Sequence, residues 1–289
     1  MKYLLLGLLA ATSFAHAAQD PLTKPIAEKQ VAQLLTPQAP VKVYGNTYFV
    51  GFGRLAVALI KTDAGLVLID GAVPQSVAAV EANIKQLGFR MQDIKYILNT
   101  EVHYDHSGGI AALARDSGAT VLASTHGAKA LRAGRSDKDD PQFGGALHDT
   151  PVPAKLRAVR DGEQIRLGGT TITAHYTPGH TPGSTSWTWD SCDNGSCKHV
   201  VFGASLNPIS ADGFKFDPTV TPIFRKTFQT VANLPCDILI PSHPDAAGID
   251  EKLKQLATDP NAMIDPGACR AFAGKYEKLF DARLAKEKS

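Results

Sequence analysis

The chain has 289 residues, of which 44% are hydrophobic and 20% charged, with a formal net charge of +2 at pH 7. This is the composition of a globular protein. A balance so close to neutral, with no basic run, gives no support to nucleic-acid binding or to a polybasic membrane contact.

Lys2, the apolar run Tyr3 to Leu9 and the small-residue pattern Ala15-His16-Ala17 read as a secretory signal peptide over residues 1–17. The run is too short to span a bilayer, so a mature chain starting at Ala18, periplasmic or secreted and without a membrane partner, is expected. Residues 18–40 are polar and proline-bearing and are expected to form a loosely attached N-terminal segment ahead of a single domain over 41–289.

Strand-like stretches follow at Val41 to Val43, Tyr48 to Val50 and Ala56 to Ile60, then the fully apolar Leu66 to Ile69, which ends at Asp70. Val77, Val80, Ile84 and Leu87 recur at helical spacing, and Gly88 is placed to stop that helix. A strand over Tyr96 to Thr100, a helix from about Gly109, a strand at Thr120 to Leu122 and a helix around Ala128 to Leu131 come next. Residues 134–153 have the composition of a long loop.

The second half repeats the order. Strands are expected near Gln164 to Leu167, Thr171 to Tyr176, Ser184 to Trp189 and His199 to Phe202, then a helix near Ile223 to Leu234, a strand over Ile238 to Ile240, and C-terminal helices. Two β-then-α halves suggest two sheets packed face to face with helices outside, an α/β fold of the αββα sandwich kind.

Four cysteines in an exported chain favour disulfides. Three connectivities are possible; Cys192 and Cys197 flank Asp193-Asn194-Gly195-Ser196, a turn that would bring two strands together, which favours the one that also pairs Cys236 with Cys269. No pair has the CxxC spacing of a cysteine zinc site.

The chemistry concentrates in Glu101-Val102-His103-Tyr104-Asp105-His106-Ser107-Gly108-Gly109. Four possible zinc ligands sit within six residues, after a strand and before a helix. Imidazole nitrogen and carboxylate oxygen both bind zinc at about 2.0–2.2 Å. His180, within Thr177-Pro178-Gly179-His180-Thr181-Pro182-Gly183, and His243, after Ile238 to Ser242, occupy comparable strand ends. Structural zinc sites close four protein ligands around one ion, often with cysteine. Six ligands without cysteine leave open positions on two ions, which is a catalytic arrangement.

These segments, in this order, resemble the metallo-β-lactamase superfamily. The Cys236 and Cys269 placement and Gly203-Ala204-Ser205-Leu206-Asn207-Pro208 resemble subclass B3 β-lactamases. The resemblance implies two Zn2+ per chain, the first on Glu101, His103 and His180 and the second on Asp105, His106 and His243. It implies hydrolysis of the β-lactam amide by a zinc-bound hydroxide, and hence antibiotic resistance, with no covalent acyl-enzyme. Asp105 would hold the second zinc and orient the nucleophile. Ser205 and Asn207 would hold the carboxylate of a small-molecule β-lactam, and Asp70 would support the metal loop. A monomer is expected.

One position departs from the HxHxDH pattern of the family: Glu101 replaces the first histidine, adding a negative charge and removing a neutral donor, so a weaker first site is expected. A lactonase or thioesterase on the same fold is the main alternative. Those relatives usually carry a metal-bridging aspartate where this chain has Ala204-Ser205. A non-catalytic periplasmic zinc-binding protein would be expected to show a His-rich tract or a closed site. A serine enzyme is disfavoured, since SxxK, KTG and a complete GxSxG are all missing. His126, His148, His175 and His199 lack motif partners and read as surface or packing residues, and Trp187 and Trp189 as packing residues.

Overall fold

A computed structural model describes residues 19–216 and 218–288. The expected signal peptide and the start at Ala18 lie outside them. After a short helix α1 (Glu28–Ala32), strands β1 (Val41–Tyr44), β2 (Thr47–Phe49), β3 (Ala58–Thr62) and β4 (Gly65–Ile69) form an antiparallel meander. Strands β5 (Ile94–Leu98), β6 (Thr120–Ser124) and β7 (Leu156–Val159) then add in parallel, giving a seven-stranded sheet in chain order. Parallel neighbours need crossover connections, supplied here by α2 (Val77–Gln86), by α3 (Tyr104–Ser107) with α4 (Ile110–Ser117), and by α5 (Thr125–Ala133).

The second sheet has the order β12-β11-β10-β9-β8, from β8 (Gln164–Leu167), β9 (Thr170–Tyr176), β10 (Thr185–Asp193), β11 (Ser196–Gly203) and β12 (Ile238–Pro241). Helix α6 (Thr221–Asn233) connects its one parallel pair, β11 and β12, and α7 (Ile249–Gln255) and α8 (Ala268–Lys288) follow.

Three apolar layers hold the four structural layers together. Leu59, Leu68, Ile97 and Val121 pack against Val80, Ile84, Leu113 and Leu131 of the helices on the first sheet. Between the sheets, Ile60, Val67 and Leu98 meet Trp187, Phe202 and Ile240. On the far side, Val201 and Leu239 meet Phe224, Phe228, Phe272 and Phe280. Strand β4 shows why its sequence is continuously apolar: Leu66 and Leu68 face the helices while Val67 and Ile69 face the other sheet. Each such side chain contributes about 1.5–3 kcal/mol by leaving water. This is the αββα sandwich expected from the element order.

Three local features differ from the sequence reading. The segment ahead of β1 is packed, because Val31 is buried in the first apolar layer with Leu34 and Leu35 beside it. Strand β7 was not anticipated; Leu-Arg-Ala-Val alternates weakly and becomes a strand by pairing with β6 at the sheet edge. Asp105 and His106 lie on the single turn of α3, an extra helical turn between the expected strand and the expected helix. Both expected disulfides are present. Cys192–Cys197 bridges paired positions of β10 and β11, and Cys236–Cys269 ties the approach to β12 to the first turn of α8. Among the described residues no helix is long and apolar enough to cross a membrane.

Candidate metal centre

The site is assembled at strand ends. Asp70, just after β4, has φ of +62°, a left-handed conformation that Asp tolerates better than most residues. Its carboxylate accepts from the Thr100 backbone N–H at 2.8 Å and the Thr100 hydroxyl at 2.6 Å, which fixes the chain as it leaves β5. Asn99 donates through Nδ2 to the Glu101 carbonyl at 2.7 Å, and its own carbonyl accepts from the Trp187 indole at 3.2 Å. Gly109 lets α4 start hard against the β4 turn: a Cβ there would stand 2.2 Å from the Gly71 carbonyl oxygen.

Two triads of donor atoms result, one of Glu101, His103 and His180 and the other of Asp105, His106 and His243, with the atoms of each triad within 4.8 Å of one another. In the first, Glu101 Oε2 lies 3.2 Å from His180 Nε2 and 3.5 Å from His103 Nδ1, and the two imidazole nitrogens are 3.1 Å apart. In the second, His106 Nε2 and His243 Nε2 are 3.1 Å apart, and Asp105 Oδ2 is 3.5 Å from each. Glu101 Oε1 lies 3.6 Å from His106 Nε2, so this one carboxylate faces both triads.

The outer ring nitrogens decide what the inner ones present. His180 Nδ1 donates to the Asn207 carbonyl and His243 Nδ1 to the Arg54 carbonyl, each at 2.9 Å. With the proton outside, both Nε2 atoms turn lone pairs inward. His103 Nε2 sits 2.9 Å from Asp140 Oδ2, which leaves its Nδ1 facing inward as well. Glu101 Oε2 is buried with no hydrogen-bond partner. Acceptors converging without donors need a cation among them, a proton or a metal ion, and this donor set fits a pair of divalent metal ions.

Electrostatics agree. Burial opposes ionisation of Glu101, but His106, His180 and His103, with hydrogen bonding from Ser205, outweigh it and hold this carboxyl well below its usual range. Asp105 is held low against burial by His106, His243 and His103. Burial alone would depress His106, yet Asp105, Glu101 and Asp70 push it up to about 10. His180 and His243 are lowered, chiefly by burial.

A cavity of about 370 Å³ opens onto both triads, bordered by His103, Asp105, His180, Asn207 and His243. A larger one, about 840 Å³, lies along the 135–149 loop but contains none of the six donors; chemistry places the site in the smaller. Asn207 borders it with a buried, unpaired Oδ1. Ser205 points its hydroxyl at Ser242, 3.0 Å away, and gives the site its backbone N–H, 3.2 Å from Glu101 Oε1. Asp140 and Gln142, whose amide lies 3.3 Å from His180 Nε2, were missed because the 134–153 stretch carries no periodicity.

The other histidines among the described residues stay outside both triads. His148 packs edge-on against Tyr104, His175 bonds Thr188 and His199 pairs with Asp190. His126 joins Asp137 and Asp139 in a smaller cluster whose charge Lys129 already answers, 2.9 Å from Asp137. Trp187 and Trp189 are buried between the sheets.

Residues 50–243 match the profile of the metallo-beta-lactamase superfamily. A solved B3 metallo-beta-lactamase with an active-site glutamic acid is 48% identical, with 94% of this chain and 100% of that one covered and a TM-score of 0.86. The metallo-beta-lactamase SMB-1, solved with 2-mercaptoethanesulfonate bound, is 44% identical over 88% of this chain and 99% of that one, with a TM-score of 0.85. Curated relatives match over shorter stretches. A hydroxyacylglutathione hydrolase of Anaeromyxobacter dehalogenans (strain 2CP-C) is 35% identical over 96 residues, 33% of this chain and 29% of that protein. The chain spans less than two thirds of the length of the first such relatives.

Proposed function

The chain belongs to the metallo-beta-lactamase superfamily, and from that premise we propose that it is a B3-type enzyme hydrolysing the amide bond of β-lactams at a two-zinc centre. One observation carries this reading. Glu101 converges with His103 and His180 as a donor triad, in a fold shared over nearly the whole chain with a B3 enzyme that has an active-site glutamic acid.

Glu101, His103 and His180 would hold the first ion, and Asp105, His106 and His243 the second. When bound, zinc supplies Lewis acidity, lowering the pKa of water toward about 7 and polarising a carbonyl oxygen. The chain's residues do the rest. The outer ring nitrogens of His180 and His243, each tied to a backbone carbonyl, keep the donor lone pairs aimed inward. Asp105, ionised at neutral pH, holds the attacking water by accepting its proton. As water oxygen bonds to the lactam carbonyl carbon, the ring C–N bond breaks and the proton passes to the departing nitrogen. Asn207 Oδ1 is an acceptor, so its side-chain amide N–H donors are the groups available to the substrate carboxylate. The two disulfides suit an oxidising compartment, which supports a periplasmic or secreted location.

Hydrolysis of a chromogenic cephalosporin and a carbapenem by the purified protein tests the proposal. Activity should be present with zinc, abolished by chelator and restored by zinc. If the protein binds zinc yet leaves both substrates intact, the lactone or thioester reading takes over. The partial similarity to hydroxyacylglutathione hydrolases favours that second reading.

A further inference from the structure

We infer that Asp140 is the positioning residue of the first triad, setting which nitrogen of His103 is free to bind metal. The inference rests on the two-zinc reading above and adds to it a residue outside the six donors. The four histidines differ in what stands behind them. His180 and His243 lean on the backbone carbonyls of Asn207 and Arg54. His106 Nδ1 is 3.6 Å from Asp70 Oδ2, beyond hydrogen-bond distance. Among the described residues only His103 has a carboxylate bonded to its outer ring nitrogen, Asp140 Oδ2 at 2.9 Å, and Asp140 is 1% exposed.

The loop is built to deliver that carboxylate. Asp140 Oδ1 accepts the Gln142 N–H at 2.8 Å, so each oxygen is committed to one partner. The Asp140 N–H donates to the Asp137 carbonyl at 3.1 Å, and its carbonyl accepts from the Phe143 N–H at 2.9 Å. Asp137 in turn is pinned to α5 by Lys129 at 2.9 Å and His126 at 3.1 Å. The carboxylate therefore reaches His103 from a braced turn separate from the metal loop. Bonded to Nε2–H, it keeps the proton off Nδ1 and makes that nitrogen a stronger donor. Behind the second triad the nearest carboxylate is Asp70, at the longer 3.6 Å from His106 Nδ1, and Asp140 touches none of its three donors, so loss of Asp140 acts on the first triad.

Asn at this position would be disruptive for a definite reason. With its oxygen on the Gln142 N–H, its NH₂ would face His103 Nε2 and favour the tautomer with the proton on Nδ1. Ser could still cap Gln142 but offers no carboxylate.

The test measures zinc affinity by competition with a chromophoric chelator, using His243→Ala to isolate the first triad and His180→Ala to isolate the second. Adding Asp140→Asn or Asp140→Ser should weaken the first triad about 10- to 100-fold, and leave the second within about threefold. Asp139→Asn, on the same loop, should change neither. Thermal unfolding of the metal-free proteins checks folding, and the serine variant carries the test should the asparagine variant not fold. Unchanged first-triad affinity in a folded Asp140 variant overturns the inference, and so does equal loss in both triads. Failure of the parent protein to hydrolyse β-lactams would instead overturn the functional reading and leave these affinity ratios standing.

Discussion

Replacing Asp70 by Ala or by Asn separates its geometry from its charge. Asp70 and Thr100 are both fully buried, so truncation to Ala leaves the Thr100 N–H and hydroxyl without a partner or water. Each stranded group costs about 1–3 kcal/mol, and placing Ala at φ +62° adds about 1–2 kcal/mol. Removing the charge returns part of this, because burial disfavours the ionised carboxyl and raises its pKa. A net loss of about 3–5 kcal/mol is expected for Asp70→Ala. Asn tolerates the same backbone, accepts the Thr100 N–H through its amide oxygen and donates its NH₂ to the hydroxyl, so the loss should be about 1 kcal/mol or less. Urea unfolding of the metal-free proteins in chelator measures both. A separation of about 2–4 kcal/mol is expected, and one below about 1 kcal/mol would show that Asp70 does not anchor the metal loop through these bonds.

Three further outcomes follow from the same geometry. His106, raised to about 10 in the metal-free protein, is protonated at pH 7.5 and must release that proton to bind zinc. Calorimetry in buffers of different ionisation enthalpy should therefore show about one proton released at the second triad, and its affinity should rise with pH up to about 10. The sign is opposite for the metal-free fold. The stabilisation from charged His106 is full below the unfolded value near 6.5 and is lost as pH rises through about 10. Breaking Cys236–Cys269, which closes 33 residues, should cost about 3–4 kcal/mol, against about 2 kcal/mol for Cys192–Cys197, which closes five, by denaturant midpoints. Equal costs would place the stabilisation elsewhere than in the closed loops. Asn207→Ala should raise KM about 10- to 150-fold, the loss of one hydrogen bond to a charged group, with kcat changed less. A fall in kcat at constant KM would remove Asn207 from substrate binding.

The donor residues were legible in the sequence because they are local. Glu101, His103, Asp105 and His106 fall within six positions at a strand-to-helix junction, and His180 and His243 follow recognisable strands. The continuous apolar run of β4 and the helical spacing of Val77, Val80 and Ile84 announced buried layers, since a side chain's periodicity reports the solvent around it. Those properties belong to short stretches of chain and survive without knowledge of the fold.

Everything that depends on direction waited for tertiary structure. Glu101 meets His180 only because the ends of β5 and β9 come together, and the ring tautomers depend on carbonyls at Asn207 and Arg54 that no motif marks. Ser205 lies next to the expected position yet turns its hydroxyl to Ser242, a choice made by the backbone beyond β11. Strand β7, the packed segment around Val31 and the Asp140 turn lack a strong pattern of their own. Pairing, packing and hydrogen bonds to residues 37 or more positions away from Asp140 and Ser205 fix their roles, and such contacts exist only once the sheets have closed on one another.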